Sequence, residues 1–262
     1  MKILSLLTAA LLFVPLAANA RVLVWDHDGG QSFHDPDDPE RLVGSERAVE
    51  AALANLGVAG VERKYVLPLN LEPYEAVFVL CGFWPGDGRL SYSEQQTLAN
   101  YLASGGNLYL EGTELARRYG GTPLFRKAGV RFEDDGRPLE EGNVNVAEGI
   151  GPWRGISLTY YSYRTDSPDA YVDELGLAGG EVVVRSRRAG NRSNARVVRY
   201  AATALPEYRV IVSSFIFGAL ENGKHTRADL MGRYAGFFGL TAPPNKIGVA
   251  PTSLGRVRAL FR

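Results

Sequence analysis

Cysteine is almost absent from this chain, because only one of its 262 residues, Cys81, carries a thiol. A single cysteine cannot close a disulfide bond within the chain, so no covalent cross-link can hold the fold together. Stability must therefore come from an apolar core, and a chain of this length is large enough to bury one.

Long apolar runs are missing except at the N-terminus. Residues 3–16 are mainly apolar and follow Lys2, and Ala18-Asn19-Ala20 stands just before Arg21. This is the pattern of a secretory signal peptide with its cleavage site, whereas a membrane anchor needs about 20 apolar residues and a stop signal. The sequence predicts export to the periplasm, the cell surface or the medium, with residues 1–20 removed and no transmembrane segment.

An excess of charge is also lacking, since 29 lysines and arginines stand against 29 aspartates and glutamates. Removal of the signal peptide takes away Lys2 and no acid, which leaves a net charge of −1. Proteins whose main partner is nucleic acid or an anionic membrane carry a basic excess. We therefore expect the partner to be a small molecule, a glycan or an envelope protein, and not nucleic acid.

The clearest local pattern covers residues 74–114 and predicts a strand, a helix and a second strand. The apolar runs 76–80 and 107–110 are the strands, and Ser91 with Glu94 forms a capping box that begins the helix between them. Two buried strands joined through a helix run parallel. Their carboxyl ends then share one edge of the sheet, where open α/β sheets bind ligands.

The other predicted elements extend this unit into an α/β domain. Strands are predicted at 21–25, 61–67 and 208–213, and helices at 45–57, 117–128 and 226–238, the second of them broken by Gly120, Gly121 and Pro123. Residues 26–43 read as a polar loop. Strands that alternate with helices predict a doubly wound, mostly parallel sheet within residues 21–240. Residues 241–262 read as a linker and a basic amphipathic tail.

One segment breaks the alternation. Residues 181–185 and 195–200 flank a turn-rich insert and predict an antiparallel hairpin at the edge of the sheet. Several arginines lie in and near this hairpin, Arg196 and Arg199 among them. Charged residues on an edge strand prevent pairing with other chains, and we expect these arginines to act in that way.

Two loops resemble those of a known family. Residues 81–86, Cys-Gly-Phe-Trp-Pro-Gly, and the turn Leu110-Glu111-Gly112-Thr113 are similar in placement to the class I glutamine amidotransferase-like superfamily, a flavodoxin-like fold that includes ThuA-like proteins. In catalytic members the first loop supplies oxyanion contacts and the second turn carries a nucleophilic cysteine. Here the second turn has no cysteine, and Ser213-Ser214-Phe215 stands where a histidine and a glutamate are expected. The resemblance implies the fold without glutamine hydrolysis.

The predicted strand ends carry candidate catalytic residues. These are Asp26, His27, Glu111 and Glu114. Carboxylates close to a histidine can perform acid and base catalysis, because mutual proximity and burial separate their pKa values. Acidic residues at strand ends also commonly cap the helices that follow them, so a purely structural role explains the same pattern.

The same edge carries candidate ligand-binding residues. They are Asp28, Cys81, Trp84, Thr113 and Ser214. Cys81 also fits the role of a small buried apolar residue, since no base or nearby helix start is available to make it a thiolate. Aromatic residues such as Trp153 and Tyr160 could line a pocket for sugars or peptides, or simply pack the strands.

An acidic loop offers the one candidate cofactor site, for a divalent cation. Asp35, Asp37 and Asp38 supply hard oxygen ligands of the kind that calcium takes. Their spacing differs from the EF-hand loop, and Pro36 and Pro39 fit an ordinary solvated turn equally well. Taken together, the residues predict an exported, non-catalytic binding or scaffold protein. The alternative is a hydrolase that uses acids at the strand ends.

Overall fold

The computed structural model describes residues 21–83, 88–135, 144–160, 172–187 and 193–240. The predicted signal peptide, Trp84 and the predicted C-terminal tail lie outside these ranges.

A ten-stranded mixed sheet forms the centre of the molecule. Its strands, from one edge to the other, are β14 (Leu220–Glu221), β9 (Ser157–Tyr160), β8 (Val146–Gly149), β11 (Glu181–Arg187), β12 (Ser193–Ala202), β13 (Tyr208–Ser213), β6 (Asn107–Glu111), β5 (Ala76–Leu80), β1 (Val22–Asp26) and β4 (Val61–Lys64). Neighbours from β4 to β13 are parallel, and neighbours from β13 to β14 are antiparallel. Two further antiparallel pairs join β2 (Phe33–Asp35) to β3 (Asp38–Val43) and β7 (Val130–Asp134) to β10 (Glu174–Leu177).

Helices cover both faces of the sheet. They are α1 (Ser45–Asn55), α2 (Tyr92–Ala103), α3 (Leu115–Tyr119), α4 (Pro123–Lys127) and α5 (Arg227–Phe238). Along β1, Val22 and Val24 pack in one core with residues of α1 and α5, whereas Leu23 and Trp25 pack in a second core with residues of α2, α3 and α4. Alternate residues of a strand point to opposite faces, which is why β5, covered on both faces, is apolar at every position. The predicted α/β class is confirmed. None of the described helices has the length and apolar character needed to cross a lipid bilayer.

The helix borders follow local sequence signals. The predicted capping box of Ser91 and Glu94 is confirmed at the start of α2, and Thr226 with Asp229 forms a second one at α5. The sequence places the cap of α1 at Ser45, which is wrong because Gly44 occupies that position. A Cβ atom at Gly44 would collide with the carboxylate of Glu46, which lies against it.

The predicted break in the helix after β6 is also confirmed. Helix α3 ends before Gly120, and α4 begins after Thr122, whose side chain accepts a hydrogen bond from Phe125 N. Strand β7 passes close to this turn, so that a Cβ atom at Gly120 would lie 2.7 Å from Phe132 N.

The predicted hairpin forms, but its predicted place at the edge of the sheet is wrong. β11 pairs with β12 as expected, yet β8 flanks the pair on one side and β13 on the other. Residues 144–160, which lack a strong strand pattern, supply β8 and β9 and extend the antiparallel half well beyond one hairpin. Arg196 therefore lies fully buried and does not protect an edge. The segment predicted as a polar loop after β1 contains the hairpin β2–β3.

Candidate functional site

The carboxyl ends of four parallel strands form one continuous edge. In the sheet register Asp26 lies beside Leu80, Leu80 beside Glu111, and Glu111 beside Ser213. The sheet thus brings the predicted strand-end segments into a single row, as the sequence indicates. The direction of each side chain then decides which groups can meet a ligand.

Glu111 points into the core and is fully buried. Its Oε2 atom accepts hydrogen bonds from the Tyr109 hydroxyl at 2.6 Å and from Phe217 N at 2.9 Å. Its Oε1 atom has no hydrogen-bond partner in the described part of the chain. Burial raises the pKa of Glu111 from 4.5 to about 8, so the carboxyl group is mostly protonated at pH 7. Glu111 is a neutral core residue beneath α5, where the ring of Tyr234 packs on Tyr109.

His27 also turns away from Glu111. Its Nε2 atom lies 3.0 Å from the carbonyl oxygen of Arg89, and its ring packs on Trp25 with 4.2 Å between centroids. No hydrogen bond among the described residues joins His27 or Asp26 to Glu111 or Glu114. The structure therefore does not bring the four predicted catalytic residues together.

Asp26 and Asp28 do lie close together, and Glu46 from α1 joins them. One carboxylate oxygen from each lies within 4.8 Å of the others. Asp28 is buried, and its Oδ1 atom accepts hydrogen bonds from Gly30 N at 2.8 Å and Gln31 N at 3.1 Å. Burial and the neighbouring charge of Asp26 raise the pKa of Asp28 to about 7. Asp26 remains partly exposed, so solvent can reach this acidic group through that residue.

The predicted ligand-binding residues of the inner strands are engaged by the main chain. Thr113 Oγ1 donates to Phe83 O at 3.1 Å, and Ser214 Oγ donates to Arg196 O at 3.3 Å, and both residues are buried. Burial raises the pKa of the Cys81 thiol far above its ordinary value. Trp84 lies outside the described residues. These side chains stabilise the edge from within.

The aromatic residues proposed as a pocket lining are part of the core. Trp153 is 3% exposed and Tyr160 is 1% exposed. Both belong to the apolar core on the α1 and α5 face of the sheet, so packing and not ligand contact explains them.

Glu114 joins a second acidic group that the sequence analysis missed. It lies at the N-cap position of α3, and one of its oxygens lies within 4.8 Å of oxygens of Asp135 and Asp173. Asp173 Oδ2 accepts a hydrogen bond from Arg117 N at 2.9 Å, and burial raises the pKa of Asp173 to about 8. No local pattern marks Asp135 or Asp173, because only the pairing of β7 with β10 brings them to α3.

Asp35 and Asp37 of the acidic loop have ion-pair and hydrogen-bond partners within the protein. Arg227 of α5 pairs with Asp35 at 3.5 Å and also with Asp37. Asp37 accepts further hydrogen bonds from the backbone and side chain of Asn222. Asp38 is exposed, and it forms no metal-ligand group with Asp35 and Asp37 in the described part of the chain. The two paired aspartates fasten the hairpin β2–β3 to α5.

A cavity of about 410 Å³ lies between this hairpin, α1 and the start of α5. Its wall includes the apolar side chains of Val43 and Ala52, together with Arg41, Arg47 and Arg227. Arg41 and Arg47 are exposed, and neither has a salt-bridge partner among the described residues. No single sequence motif marks this cavity, because three separate segments line it.

Comparison with known proteins shows the fold. No family model matches the chain, and no curated protein matches it. A β-galactosidase from Rahnella sp. R3 has a TM-score of 0.52 at 14% identity, over 84% of this chain and 31% of the galactosidase. The mmIFT52 N-terminal domain has a TM-score of 0.51 at 12% identity, over 86% of this chain and 98% of that domain.

A putative ThuA-like protein from Parabacteroides merdae ATCC 43184 has a TM-score of 0.52 at 10% identity, over 86% of this chain and 92% of that chain. The chain spans about a third of the galactosidase, so the similarity to that enzyme concerns one part of it. At these identities the comparisons carry no information on activity. The chain has an α/β fold similar to that of a ThuA-like protein.

Proposed function

We propose that the mature protein is an exported, non-catalytic binding or scaffold module with an amidotransferase-like fold. The order of the parallel strands, β4-β1-β5-β6-β13, supports the fold assignment, because it equals the order 2-1-3-4-5 of flavodoxin-like sheets. Helices on both faces of the sheet and the similarity to a ThuA-like protein support it too.

The proposal that the protein is non-catalytic depends above all on the complete burial of Glu111. This residue ends the strand that carries the nucleophilic cysteine in the catalytic members of the resembled superfamily. A buried, protonated carboxyl group cannot replace a thiolate in thioester chemistry. The one thiol, Cys81, lies on the neighbouring strand end, where burial keeps it protonated.

The cavity beside α1 favours a binding role. Its volume of about 410 Å³ falls in the range typical of small-molecule sites. Apolar walls with two unpaired arginines at the rim suit a ligand that joins a small apolar surface to an anionic group. A sugar acid from a glycan, or a carboxylate on an envelope protein, has that chemistry.

Turnover and binding assays test the proposal. Wild-type protein should release no ammonia from glutamine and should hydrolyse nitrophenyl esters and glycosides no faster than Glu111→Gln. Ammonia release that disappears in Cys81→Ser would refute the non-catalytic assignment. In calorimetry with glucuronate and galacturonate, Arg47→Glu should weaken binding while Arg89→Glu, with the same charge change outside the cavity, should not. If Arg47→Glu and Arg89→Glu bind these sugar acids equally well, the cavity is not the binding site.

A hydrolase that uses Asp26 and Asp28 is the second candidate. A pKa of about 7 for Asp28 beside a partly exposed Asp26 is the arrangement that lets one carboxyl act as acid and the other as base at neutral pH. If this candidate is correct, the ester or glycoside panel gives a rate with a bell-shaped pH profile, and Asp26→Asn abolishes it. If the wild type turns over none of these esters and glycosides at any pH, the hydrolase candidate loses its support.

A further inference from the structure

Three carboxylates from distant parts of the chain meet beside α3. Glu114 precedes the helix, Asp135 follows β7, and Asp173 precedes β10. One oxygen from each lies within 4.8 Å of the other two. The proposal for the function of the protein uses none of these residues.

Each of the three carboxylates has one buried oxygen that has no hydrogen-bond partner among the residues the structure describes. These atoms are Glu114 Oε1, Asp135 Oδ1 and Asp173 Oδ1. Asp173 is fully buried, and Glu114 is 8% exposed. Buried carboxylate oxygens without partners are costly, so native proteins pair them with hydrogen-bond donors or with cations.

The remaining oxygens are held in place by contacts with Arg117 at the start of α3. Arg117 Nη1 lies 2.7 Å from Asp135 Oδ2 and 3.6 Å from Glu114 Oε2. The backbone nitrogen of Arg117 donates to Asp173 Oδ2, which fixes that carboxylate at the start of α3. The oxygens that Arg117 does not engage are left available to a cation.

We propose that Glu114, Asp135 and Asp173 bind one divalent cation, for which calcium is the best match. Calcium takes hard oxygen ligands at roughly 2.3–2.6 Å, so oxygens on opposite sides of the ion can be about 5 Å apart, in accord with the observed spacing. Zinc prefers nitrogen and sulfur ligands, and no histidine or cysteine belongs to this group. The bound ion would fasten α3 to the β7–β10 pair.

Titration of calcium into metal-free protein tests the site. Protein treated with EDTA and dialysed should bind one Ca²⁺ per chain in calorimetry, and at tenfold excess over Kd its Tm should rise by about 3–6 °C. Asp173→Asn should abolish the binding and the shift. Because Asp173 also accepts a hydrogen bond from α3, Asp135→Asn serves as a second variant, with the same expected loss and no lost backbone contact to the helix.

Asp26→Asn is the matched control, since it removes the same charge from the other three-carboxylate group. It should keep both the binding and the shift in Tm. The proposal is overturned if Ca²⁺, Mg²⁺ and Mn²⁺ neither bind nor raise Tm, or if Asp135→Asn and Asp173→Asn respond to calcium as the wild type does. Tighter binding of Mg²⁺ than of Ca²⁺ would overturn the assignment to calcium.

Discussion

Replacement of Glu111 by glutamine should remove a loss of stability that the wild type undergoes as the pH rises from 5 to 8. The carboxyl group lies fully buried beneath α5, with Tyr109 and Phe217 N bonded to one oxygen and no partner on the other. Glutamine keeps the shape of the side chain and the acceptor oxygen but has no ionisable proton. The variant therefore removes the free-energy cost of keeping this carboxyl protonated in the folded protein and retains the packing around it.

The size of the effect follows from the raised pKa. In the unfolded chain Glu111 ionises with its ordinary pKa of 4.5, whereas in the folded protein the pKa is about 8. Between these values the folded state binds more protons, so the stability that this group contributes is complete below pH 4.5 and is lost as the pH rises through 8. One pKa unit corresponds to about 1.4 kcal/mol, which gives a loss of roughly 3 kcal/mol at pH 7 and roughly 4 at pH 8.

Urea unfolding at pH 5, 7 and 8 measures this difference. The stability of Glu111→Gln minus that of the wild type should grow by roughly 3 kcal/mol between pH 5 and pH 8. The other titratable groups near Glu111 are Tyr109, Tyr234, Cys81 and Asp28, and they are the same in both proteins. Glu75→Gln changes an exposed glutamate and is the control. Its difference in stability from the wild type should not increase between pH 5 and pH 8. A pH-independent difference for Glu111→Gln would refute the assignment of a buried, neutral carboxyl.

Three further predictions concern the thiol, the buried arginine and the helix caps. Cys81 should not react with a thiol reagent such as DTNB in native protein and should react fully in urea, because it is 3% exposed. Arg196→Met should cost about 3 kcal/mol in urea unfolding, since the guanidinium donates to two buried carbonyl oxygens and to Ser186 Oγ. Ser91→Ala and Thr226→Ala should each cost about 1 kcal/mol in urea unfolding, while Ser91→Thr, which keeps the hydroxyl that bonds Glu94, should cost much less than Ser91→Ala.

Local patterns in the sequence were sufficient to predict the parallel half of the fold. The strands 76–80 and 107–110, the capping box at Ser91 and the broken helix before Ala128 depend on residues that are neighbours in the chain. The antiparallel half depends on pairing between distant segments. Strands β8 and β9 are only four residues long, and the sequence gives no sign of their partners. Their pairing with β11 and β14 moves the predicted edge hairpin into the interior of the sheet.

The candidate site was predictable in position but not in orientation. The strand ends do meet along one edge, yet Glu111 shares its face of the sheet with Tyr109, two residues earlier. That face is covered by α5, which begins 116 residues after Glu111, and this long-range contact encloses the carboxyl group. Asp135 and Asp173 were not predicted as site residues, because only tertiary contacts bring them close to Glu114.

The ionisation of Glu111 itself tests the central claim that the carboxyl group at this strand end is enclosed in the core. In protein labelled with ¹³C at the glutamate side-chain carboxyl, the signal absent from Glu111→Gln identifies this group. We expect that signal to report a protonated carboxyl at pH 7 and to titrate with a midpoint near pH 8, as the buried position requires. A midpoint near the ordinary value of 4.5 would show a solvated carboxylate at the edge of the sheet and would contradict the account.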